Sequence, residues 1–438
     1  MKKIEPKTLS GFMELNPDDQ VLFDNMINII KETYKKYGFW GLDTPIIEYS
    51  EVLLAKAGGE TEKQIYRFNK GDNDLSLRFD LTVPLAKYVA ARYNELSFPF
   101  KRYQIGKVFR GERPQKGRYR EFYQCDIDVI GDNELSLSYD AEMPAIIYDV
   151  FNKLNIGKFI IRINNRKILN GFFQNLELTD KASDVLRIID KIEKISEEEI
   201  IEILKDDYNV SEEKISKILK LIKIKGTNQE ILNALRNMNI DNDVFKTGIN
   251  ELETVINTLK EMDVDEEYFS IDLSIARGLD YYTGIVYETK LVDYPQIGSI
   301  CSGGRYDNLA EYYTDKKLPG VGISIGFTRL FYQLKEMGII KNEYNGCADI
   351  MVLPMTNDLK VINKVAQKLR IIGKSVNVCY SDRKFKSKMK YADNCRVKFA
   401  VIIGEDEIKE DSITIKNMES GNQELVKISD IEKYFLQK

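Results

Sequence analysis

Histidine is absent from all 438 residues of the chain. Every mechanism that needs an enzyme imidazole is therefore excluded, including a Ser-His-Asp triad, a Cys-His dyad and an HExxH zinc site. The chemistry of an active site must then rest on arginine, lysine, carboxylates, tyrosine or a bound metal. A GxxxxGK[ST] phosphate loop is also missing. A nucleotide would have to be bound by arginine side chains on a sheet rather than at a helix N-terminus.

Cysteine is scarce and scattered. The five residues of this type form no CxxC pair: Cys125, Cys301, Cys347, Cys379 and Cys395. An odd number without close spacing argues against a disulfide framework or a zinc cluster. We expect reduced thiols and no metal site built by the protein.

Long apolar runs are missing as well. No run approaches the about 20 residues that are needed to cross a bilayer, and the first residues lack the apolar core of a secretion signal. We expect a cytoplasmic protein with no membrane partner. The net charge is −5, so nucleic-acid binding would depend on local basic patches, and we expect no DNA partner.

The first third of the chain shows helix and strand patterns in turn. Apolar residues recur at helical spacing over 17–37, which predicts a helix. Polar and apolar residues alternate over 76–83, which predicts a strand. Residues 101–110 and 119–130 are strand-like around a polar loop, which predicts a hairpin.

Changes in composition and periodicity along the chain predict the domain organisation. Residues 174–262 are rich in Lys, Glu and Ile with helical periodicity, which predicts an inserted helical domain. Strand patterns return over 263–340, where we predict a turn on the glycine pair of SICSGGRYDNL. Strands and helices alternate over 345–438, which predicts a compact α/β domain. Residues 1–173 would then be the first part of a split catalytic domain.

The second hairpin strand carries polar residues that a core strand normally lacks. Gln124, Asp126 and Asp128 share one face if the chain is extended. Carboxylates on a central strand are costly to bury unless they are paired, so this face is predicted to meet a ligand.

Arginines are predicted at strand ends in three places, at Arg110, Arg277 and Arg329. Guanidinium groups make planar, bidentate contacts with phosphate oxygens. If the three converge, they can bind a triphosphate and stabilise charge that develops at phosphorus. A surface ion pair is the alternative for each of them.

Five segments together resemble a class II aminoacyl-tRNA synthetase, and more narrowly the histidyl-tRNA synthetase family. They are RFDLTVP (78–84), FRGERPQKGRYREFYQ (109–124), ARGLDYYTG (276–284), CSGGRYDNL (301–309) and GVGISIGFTRL (320–330). The resemblance runs in order along nearly the whole chain. It implies an α+β protein: a class II antiparallel-sheet catalytic domain with a helical insertion, plus a C-terminal α/β anticodon-binding domain.

The same resemblance implies an activity and its partners. The enzyme would use ATP to convert L-histidine into histidyl-adenylate and would transfer the histidyl group to tRNA(His). Mg²⁺ would accompany ATP through phosphate oxygens and waters. A homodimer is implied, with the predicted helix over 17–37 and the segment around Pro45 at its interface.

Residue roles also follow from the resemblance. Arg110 and Arg277 are implied as catalytic, because they would stabilise the α-phosphate during attack by the substrate carboxylate. Adenine would stack between Phe122 and Arg329, and the implied ATP-binding set is Arg110, Glu112, Phe122 and Arg329.

The implied histidine site draws on the same segments. Its residues are Asp80, Leu81, Thr82, Arg110, Gln124, Asp128, Arg277, Tyr281 and Tyr282. Asp80 and Thr82, aided by Gln124, would hold the α-ammonium group. Asp128 and the two tyrosines would line the imidazole pocket. An imidazole has two ring nitrogens, and a site that offers each of them a polar partner rejects analogues strongly.

Two basic segments are implied to meet tRNA. The hairpin loop would contact the acceptor end through Arg113, Gln115, Lys116 and Arg118. A second run, near the anticodon arm, comprises Lys384, Lys386, Lys388 and Lys390 beside Tyr391. A solvated face is the alternative for both segments.

Three other functions stay open. A non-catalytic regulatory paralogue in histidine biosynthesis would be expected to lack the C-terminal domain and to have an eroded RGLDYYTG segment, and both are present here. A class II synthetase of another amino-acid specificity is disfavoured by RGLDYYTG and Asp128. A tRNA-binding module without catalysis would not need Arg110, Arg277 and Arg329 together.

Overall fold

The strands of the larger of two structural units build the platform for the candidate site. The structure is a computed structural model that describes residues 3–55, 59–114, 116–189, 195–275, 282–341, 346 and 348–436. One unit comprises residues 1–15 and 23–341, and the other comprises 16–22 and 342–438. The four domain boundaries given above stay predictions.

The larger unit contains two sheets. In chain order its strands are β1 (Trp40–Gly41), β2 (Ile47–Tyr49), β3 (Arg67–Lys70), β4 (Asn73–Leu77), β5 (Phe100–Phe109), β6 (Glu121–Ile130), β7 (Phe159–Asn165), β8 (Phe269–Ile271), β9 (Ile285–Leu291), β10 (Ser299–Tyr306) and β11 (Gly320–Ile325). The main sheet has the order β1-β5-β6-β11-β10-β9-β7-β8. Only its outer pairs, β1 with β5 and β7 with β8, run parallel. A smaller antiparallel sheet has the order β2-β4-β3.

Twelve α-helices fall within the described residues up to residue 341. They are α1 (Pro17–Lys36), α2 (Ser50–Leu54), α3 (Gly59–Gln64), α4 (Thr82–Ala91), α5 (Ser138–Leu154), α6 (Arg166–Asn175), α7 (Ala182–Ile189), α8 (Glu197–Glu202), α9 (Glu212–Ile222), α10 (Asn228–Asn237), α11 (Asp243–Glu261) and α12 (Phe327–Glu336). The predicted helix over 17–37 is α1, and the predicted helical stretch contains α7 to α11. Ser196 caps α8 by accepting a hydrogen bond from the Glu199 N–H (3.2 Å).

The hairpin strands β5 and β6 were predicted to within two residues, and their two faces have different chemistry. Cys125, Ile127 and Val129 on one face of β6 are fully buried apolar side chains. The helix α5 packs against the neighbouring strands β10 and β11. The opposite face of β6 presents Gln124 and the carboxylates, and the candidate site is built there.

The C-terminal unit is an α/β fold, as predicted. Its strands are β12 (Ile350–Pro354), β13 (Val376–Val378), β14 (Phe399–Ile403), β15 (Ser412–Asn417) and β16 (Gln423–Lys427), in the order β13-β12-β14-β15-β16. The helices are α13 (Leu359–Ile371), α14 (Phe385–Asn394), α15 (Glu405–Lys409) and α16 (Ile431–Leu436). The central strand β12 is buried throughout and pairs in parallel with β13 and β14. None of the helices in the described ranges is long and apolar enough to cross a membrane.

The predicted strand over 76–83 is wrong from residue 78 onward, and only its first two residues lie in a strand. Strand β4 ends at Leu77, and α4 begins at Thr82. Asp80 Oδ1 accepts a hydrogen bond from the Val83 N–H (3.0 Å), so the side chain satisfies a donor of the first helical turn. Pro84 fits the same turn because a donor is not needed there. These local contacts outweigh a short polar–apolar alternation.

The predicted turn on Gly303 and Gly304 is also wrong, because both residues lie inside β10. A Cβ at Gly303 would lie 2.1 Å from the carbonyl oxygen of Gly322, and one at Gly304 would lie 2.6 Å from that of Ile285. Glycine is therefore used in this strand for close approach to the neighbouring backbone.

We predict that Gly303→Ala destabilises the larger unit by at least about 1–3 kcal/mol, because β10 and β11 must separate to admit a methyl group. Thermal unfolding of the purified variant measures this. Gly326→Ala is the matched control, since Gly326 has φ −72° and a Cβ there would meet nothing within 4 Å. Equal melting temperatures for both variants would contradict the close-approach explanation.

Candidate active site

Two almost fully buried carboxylates, Asp126 and Asp128, lie on the polar face of β6. Asp128 Oδ1 accepts a hydrogen bond from Tyr306 Oη (2.7 Å), and its Oδ2 lies 2.7 Å from Arg102 Nη2. Burial raises the pKa of Asp128 to about 6, although Arg102 and Tyr306 act in the opposite direction. Asp128 is therefore an oriented carboxyl group that titrates close to neutral pH.

A glycine on the neighbouring strand makes room for this carboxyl group. Gly322 on β11 pairs in register with Asp128 on β6. A Cβ at Gly322 would lie 2.1 Å from Asp128 Oδ1. The glycine in the GVGISIGF segment therefore lets the Asp128 side chain extend over β11.

Arg102 joins this carboxyl group to the segment that precedes α4. Its side chain is fully buried, and its Nη2 also donates to the Leu81 carbonyl (3.1 Å). Its Nε and Nη1 have no hydrogen-bond partner within the described residues. Neither Arg102 nor Tyr306 was predicted from the sequence as a partner of Asp128. Their signal was the position of Arg102 in the first hairpin strand and of Tyr306 in the CSGGRYDNL segment.

Asp80 offers one acceptor atom that the described protein atoms do not use. Its Oδ1 caps α4, whereas its Oδ2 is buried with no hydrogen-bond partner among the described groups. Burial raises the pKa of Asp80, and Arg110 and Arg102 oppose that shift. Leu81 is fully buried, and Thr82 is the first residue of α4. A cation such as an ammonium group would satisfy the Asp80 carboxylate.

Gln124 presents a second such acceptor. Its Nε2 donates to Ser324 Oγ on β11 (2.7 Å). Its Oε1 is buried and has no hydrogen-bond partner in the described part of the chain. Buried polar atoms in native proteins are almost always satisfied, by protein, water or a ligand. The free acceptors of Asp80 and Gln124 suit a ligand that donates hydrogen bonds.

The start of β6, called the arginine end, lies beside Arg110 and Phe122 and differs from the acidic end, which carries Asp126 and Asp128. Arg110 Nε donates to the Phe79 carbonyl (3.0 Å), and its guanidinium carbon lies 5.2 Å from the centre of the Phe122 ring. This side chain therefore lies over an aromatic surface at the end of β6.

Helix α12 approaches the same strand. Thr328 Oγ1 accepts a hydrogen bond from the Tyr123 N–H (2.8 Å), which holds the first turn of α12 beside the residue that follows Phe122. Arg329, the next residue of α12, donates from Nη2 to the Ile297 carbonyl (2.5 Å). The adenine stack between Phe122 and Arg329 stays a prediction.

The loop between β5 and β6 is basic and open to solvent. Arg113, Lys116 and Arg118 are exposed. Glu112 is half-buried, with Oε2 3.7 Å from Arg118 Nη1, and Lys116 Nζ lies 3.9 Å from Glu336 Oε2. Such long, exposed ion pairs hold their partners only weakly, so these cations can turn to phosphate groups.

Three residues of the predicted sites lie outside the described residues: Arg277, Tyr281 and Gln115. Tyr282 is half-buried and packs beside the cluster that contains Tyr306. Its ring lies next to Gly304, where a Cβ would approach Tyr282 Cδ1 to 3.0 Å. The missing side chain at Gly304 therefore leaves the space that the Tyr282 ring occupies.

The basic run of the C-terminal unit needs one correction. Lys388 is buried, and its Nζ donates to the Pro354 carbonyl, so it supports β12 and is not available to tRNA. Lys384, Lys386 and Lys390 are exposed, as is Tyr391. The charge pattern alone did not reveal that one helix position faces inward.

Family comparisons agree along the whole chain. Residues 11–330 match the family model described as histidyl-tRNA synthetase, and residues 349–438 match an anticodon binding domain. A relative from Clostridium tetani named histidine–tRNA ligase is 55% identical over 436 residues, and the alignment covers 99% of each chain. A relative of the same name from Finegoldia magna is 49% identical over 98% of this chain and 99% of its own.

Solved structures give the same picture. The crystal structure of histidyl-tRNA synthetase from Nostoc sp. PCC 7120 has a TM-score of 0.90 and 40% identity, with 99% of this chain and 100% of that chain covered. A structure from Bacillus halodurans C described as an ATP phosphoribosyltransferase regulatory subunit/histidyl-tRNA synthetase has a TM-score of 0.75 at 20% identity, which shows a shared fold alone.

The fold is that of a class II aminoacyl-tRNA synthetase, a catalytic domain around an antiparallel-rich sheet together with an anticodon-binding domain, as the sequence predicted. More narrowly, the chain belongs to the histidyl-tRNA synthetase family.

Burial of Asp126 predicts a dependence of stability on pH. Burial raises the pKa of Asp126 from its ordinary value of 3.8 to about 7. The folded state then holds a proton that the unfolded state has lost, so this contribution is complete below pH 3.8 and is lost as pH rises through about 7. Each pH unit in this window costs ~1.4 kcal/mol, so between pH 5.5 and 8 the wild type loses about 2 kcal/mol more than Asp126→Asn.

Urea unfolding followed by circular dichroism at both pH values measures the difference. Asp293→Asn removes an exposed carboxylate and is the control, which should follow the wild type. If Asp126→Asn also follows the wild type, the folded protein does not raise the Asp126 pKa.

Proposed function

We propose that the protein is a histidine–tRNA ligase, which activates L-histidine with ATP and transfers it to tRNA(His) in the cytoplasm. The observation that carries the proposal is the buried Asp128 carboxyl group, held by Arg102 and Tyr306 on the central sheet of a chain that belongs to this family. Three relatives that are 45% to 55% identical to this chain bear the name histidine–tRNA ligase.

Recognition of histidine would use the acidic end of β6. Asp128 would accept a hydrogen bond from one imidazole N–H, with Tyr281 and Tyr282 as further lining. Asp80 Oδ2 and Gln124 Oε1, both buried acceptors without a described donor, would receive the α-ammonium group. The polar groups of the pocket would be left unpaired by an apolar analogue, which gives specificity.

Activation would occur toward the arginine end. A carboxylate oxygen of histidine attacks the α-phosphorus of ATP, and the bond from that phosphorus to the bridging oxygen of pyrophosphate breaks. Arg110 and Arg277 would stabilise the negative charge on the phosphoryl oxygens. Phe122 and Arg329 would hold adenine, with Glu112 at its edge. The products are histidyl-adenylate and pyrophosphate.

Mg²⁺ would arrive with ATP. The described residues contain no group of three or more carboxylates or cysteines that could hold a metal ion. We propose that the ion is bound mainly by the phosphate oxygens and water, because a small, hard cation gives up its water ligands reluctantly.

Transfer would follow at the same site. The 3′-terminal hydroxyl of tRNA(His) attacks the histidyl carbonyl carbon, and AMP leaves. The exposed cations Arg113, Lys116 and Arg118, with Gln115, would guide the acceptor end through its phosphates. The C-terminal unit would meet the anticodon arm through Lys384 and its exposed neighbours.

A homodimer is the proposed assembly. Exposed apolar side chains lie on β1 (Trp40), on the smaller sheet (Ile47, Tyr49 and Phe68) and just before β2 (Ile46). Trp40 is 74% exposed, which is unusual for so large an apolar side chain. The β1 strand is the edge of the main sheet and β2 is an edge of the smaller one. Exposed apolar edges of this kind mark interaction surfaces.

We predict ATP–pyrophosphate exchange that depends on histidine and on no other amino acid.

Asp128→Asn should raise the KM for histidine by about 10–100-fold with little effect on the KM for ATP, because the lost partner is a buried charge-assisted hydrogen bond. Arg277→Ala should lose most exchange but keep histidine binding. Initial-rate exchange assays and calorimetric titration of histidine measure these values.

Asp315→Asn alters an exposed carboxylate and is the control. Exchange with another amino acid would identify a different specificity. Absence of exchange with every amino acid would support the regulatory or tRNA-binding alternatives.

We predict that the protein in solution has twice the mass of one 50.7 kDa chain. Ile47→Asp should shift it toward the monomer, because a carboxylate would be buried without a partner at the interface. Light scattering after gel filtration reports the mass. Leu425→Asp, at an exposed site on β16, is the control. A monomeric wild type at micromolar concentration would reject the dimer.

A further inference from the structure

Asp126 is a buried carboxyl group to which the proposed mechanism gives no role. It lies between Gln124 and Asp128 on the polar face of β6 and is 2% exposed. In the sheet it pairs in register with Gln104 on β5 and with Ser324 on β11. Its Oδ1 has no hydrogen-bond partner among the described residues. Such a group is costly to bury without a purpose.

Ser324 connects Asp126 to Gln124. Ser324 lies directly opposite Asp126 in the pairing of β11 with β6, and its hydroxyl group opposes the rise of the Asp126 pKa. Ser324 Oγ also accepts a hydrogen bond from Gln124 Nε2 at 2.7 Å. A hydroxyl group has one hydrogen to donate, and an ionised carboxylate can only accept. When Asp126 is ionised, Ser324 must therefore donate to it, and its remaining lone pairs face the Gln124 amide.

This chain of hydrogen bonds decides which end of the amide faces the ligand. The two ends of a glutamine amide have nearly the same shape, so only hydrogen-bond partners distinguish them. Ser324 as an acceptor selects the NH₂ group, which leaves Gln124 Oε1 at the buried position without a described donor. A flipped amide would instead present NH₂ hydrogens to a cationic ligand, which repels them.

We propose that Asp126 and Ser324 are positioning residues, which fix the Gln124 amide so that its oxygen accepts a hydrogen bond from the α-ammonium group of the substrate amino acid. The ligand's identity as an amino acid rests on the proposed function. The hydrogen-bond logic would serve any amino acid, because all share the α-ammonium group.

Several charged or titratable groups surround Asp126. They are Arg102 from β5, Asp128 and Cys125 from β6, Asp80 before α4, Cys301 from β10 and Tyr34 from α1. Arg102 is the cation of this set, and it already contacts Asp128 at 2.7 Å. Burial raises the pKa of Asp126 to about 7. Assays at pH 8 therefore examine the state in which Asp126 is mostly ionised.

The test is a double-mutant cycle with Ser324→Ala, Asp126→Ala and the double variant, because an asparagine at position 126 would still offer the serine hydroxyl an acceptor oxygen. ATP–pyrophosphate exchange at pH 8 gives the KM for histidine, the KM for ATP and kcat. Each single variant should raise the KM for histidine about tenfold, the effect of one hydrogen bond to a charged group. The KM for ATP and kcat should change by less than about twofold. The double variant should lose no more than the single ones, because both residues act through one amide.

An analogue without the α-amino group gives a second readout. The inhibition constant of 3-(imidazol-4-yl)propionate against histidine should be the same in wild type and variants, since this molecule has no ammonium group for Gln124 to meet. A general distortion of the pocket would weaken the analogue as much as histidine. Ser270→Ala, a serine on the distant strand β8, is the matched control and should leave every constant unchanged.

Two results would overturn the proposal. One is multiplication of the two losses to about a hundredfold in the double variant, which would show independent effects. The other is equal weakening of histidine and the analogue. If the wild type activates another amino acid instead, the proposed specificity fails, and the same cycle with that amino acid and its deamino analogue still decides the role of Asp126 and Ser324.

Discussion

The buried contact between Arg102 and Asp128 is the interaction on which the candidate site depends. It joins β5 to β6, and through the Leu81 carbonyl it also holds the segment that leads into α4. Tyr306 brings β10 to the same carboxyl group. Removal of either charge would leave its partner buried without compensation, which typically costs about 3–5 kcal/mol. The pair therefore sets the relative positions of the elements that carry the other site residues.

Around this pair the charges are unbalanced, and the imbalance selects the ligand. Asp80, Asp126 and Asp128 supply three carboxyl groups, whereas two cations act on them, the buried Arg102 and, at Asp80, Arg110. The raised pKa values of all three report that their ionisation is costly in the free protein. A ligand that brings positive charge would relieve this cost. The acidic end of β6 therefore favours cations, such as the α-ammonium group of an amino acid.

The strand itself separates two kinds of chemistry. Residues 122 and 128 are six positions apart, or about 20 Å along an extended strand. At one end the aromatic ring of Phe122 lies beneath Arg110, where an anionic nucleotide is favoured. At the other end the carboxyl groups favour a cation. An aminoacyl-adenylate has this same polarity, with a base and phosphate at one side and an amino acid at the other, so one strand can align both parts for reaction.

The sequence predicted those features that depend on local pattern. The hairpin, α1, the helical stretch and the C-terminal α/β unit each follow from periodicity over many residues. The roles of Arg102 and Tyr306 were missed because they depend on the order and register of the strands. Arg102 lies opposite Asp128 on β5, whereas Tyr306 reaches it from β10 across β11, and no local pattern specifies either position. The predicted strand over 76–83 extended too far because the Asp80 side chain caps the start of α4. The inward direction of Lys388 depends likewise on packing that a charge run does not reveal.

Because the chain contains no histidine, the raised pKa values of its buried carboxyl groups determine much of its titration near neutral pH. Histidine normally supplies the titration of proteins near neutral pH. Here the described carboxyl groups whose pKa is raised to about 6 or 7 are Asp126, Asp128 and Asp140, all of them buried. Asp140 Oδ1 accepts a hydrogen bond from Arg305 Nε (3.0 Å), and this buried ion pair is not part of the candidate site. The other two share the ligand-facing side of β6. Protonation near neutral pH is thereby concentrated on the polar face of β6, where the candidate site lies, and burial supplies what a histidine side chain supplies elsewhere.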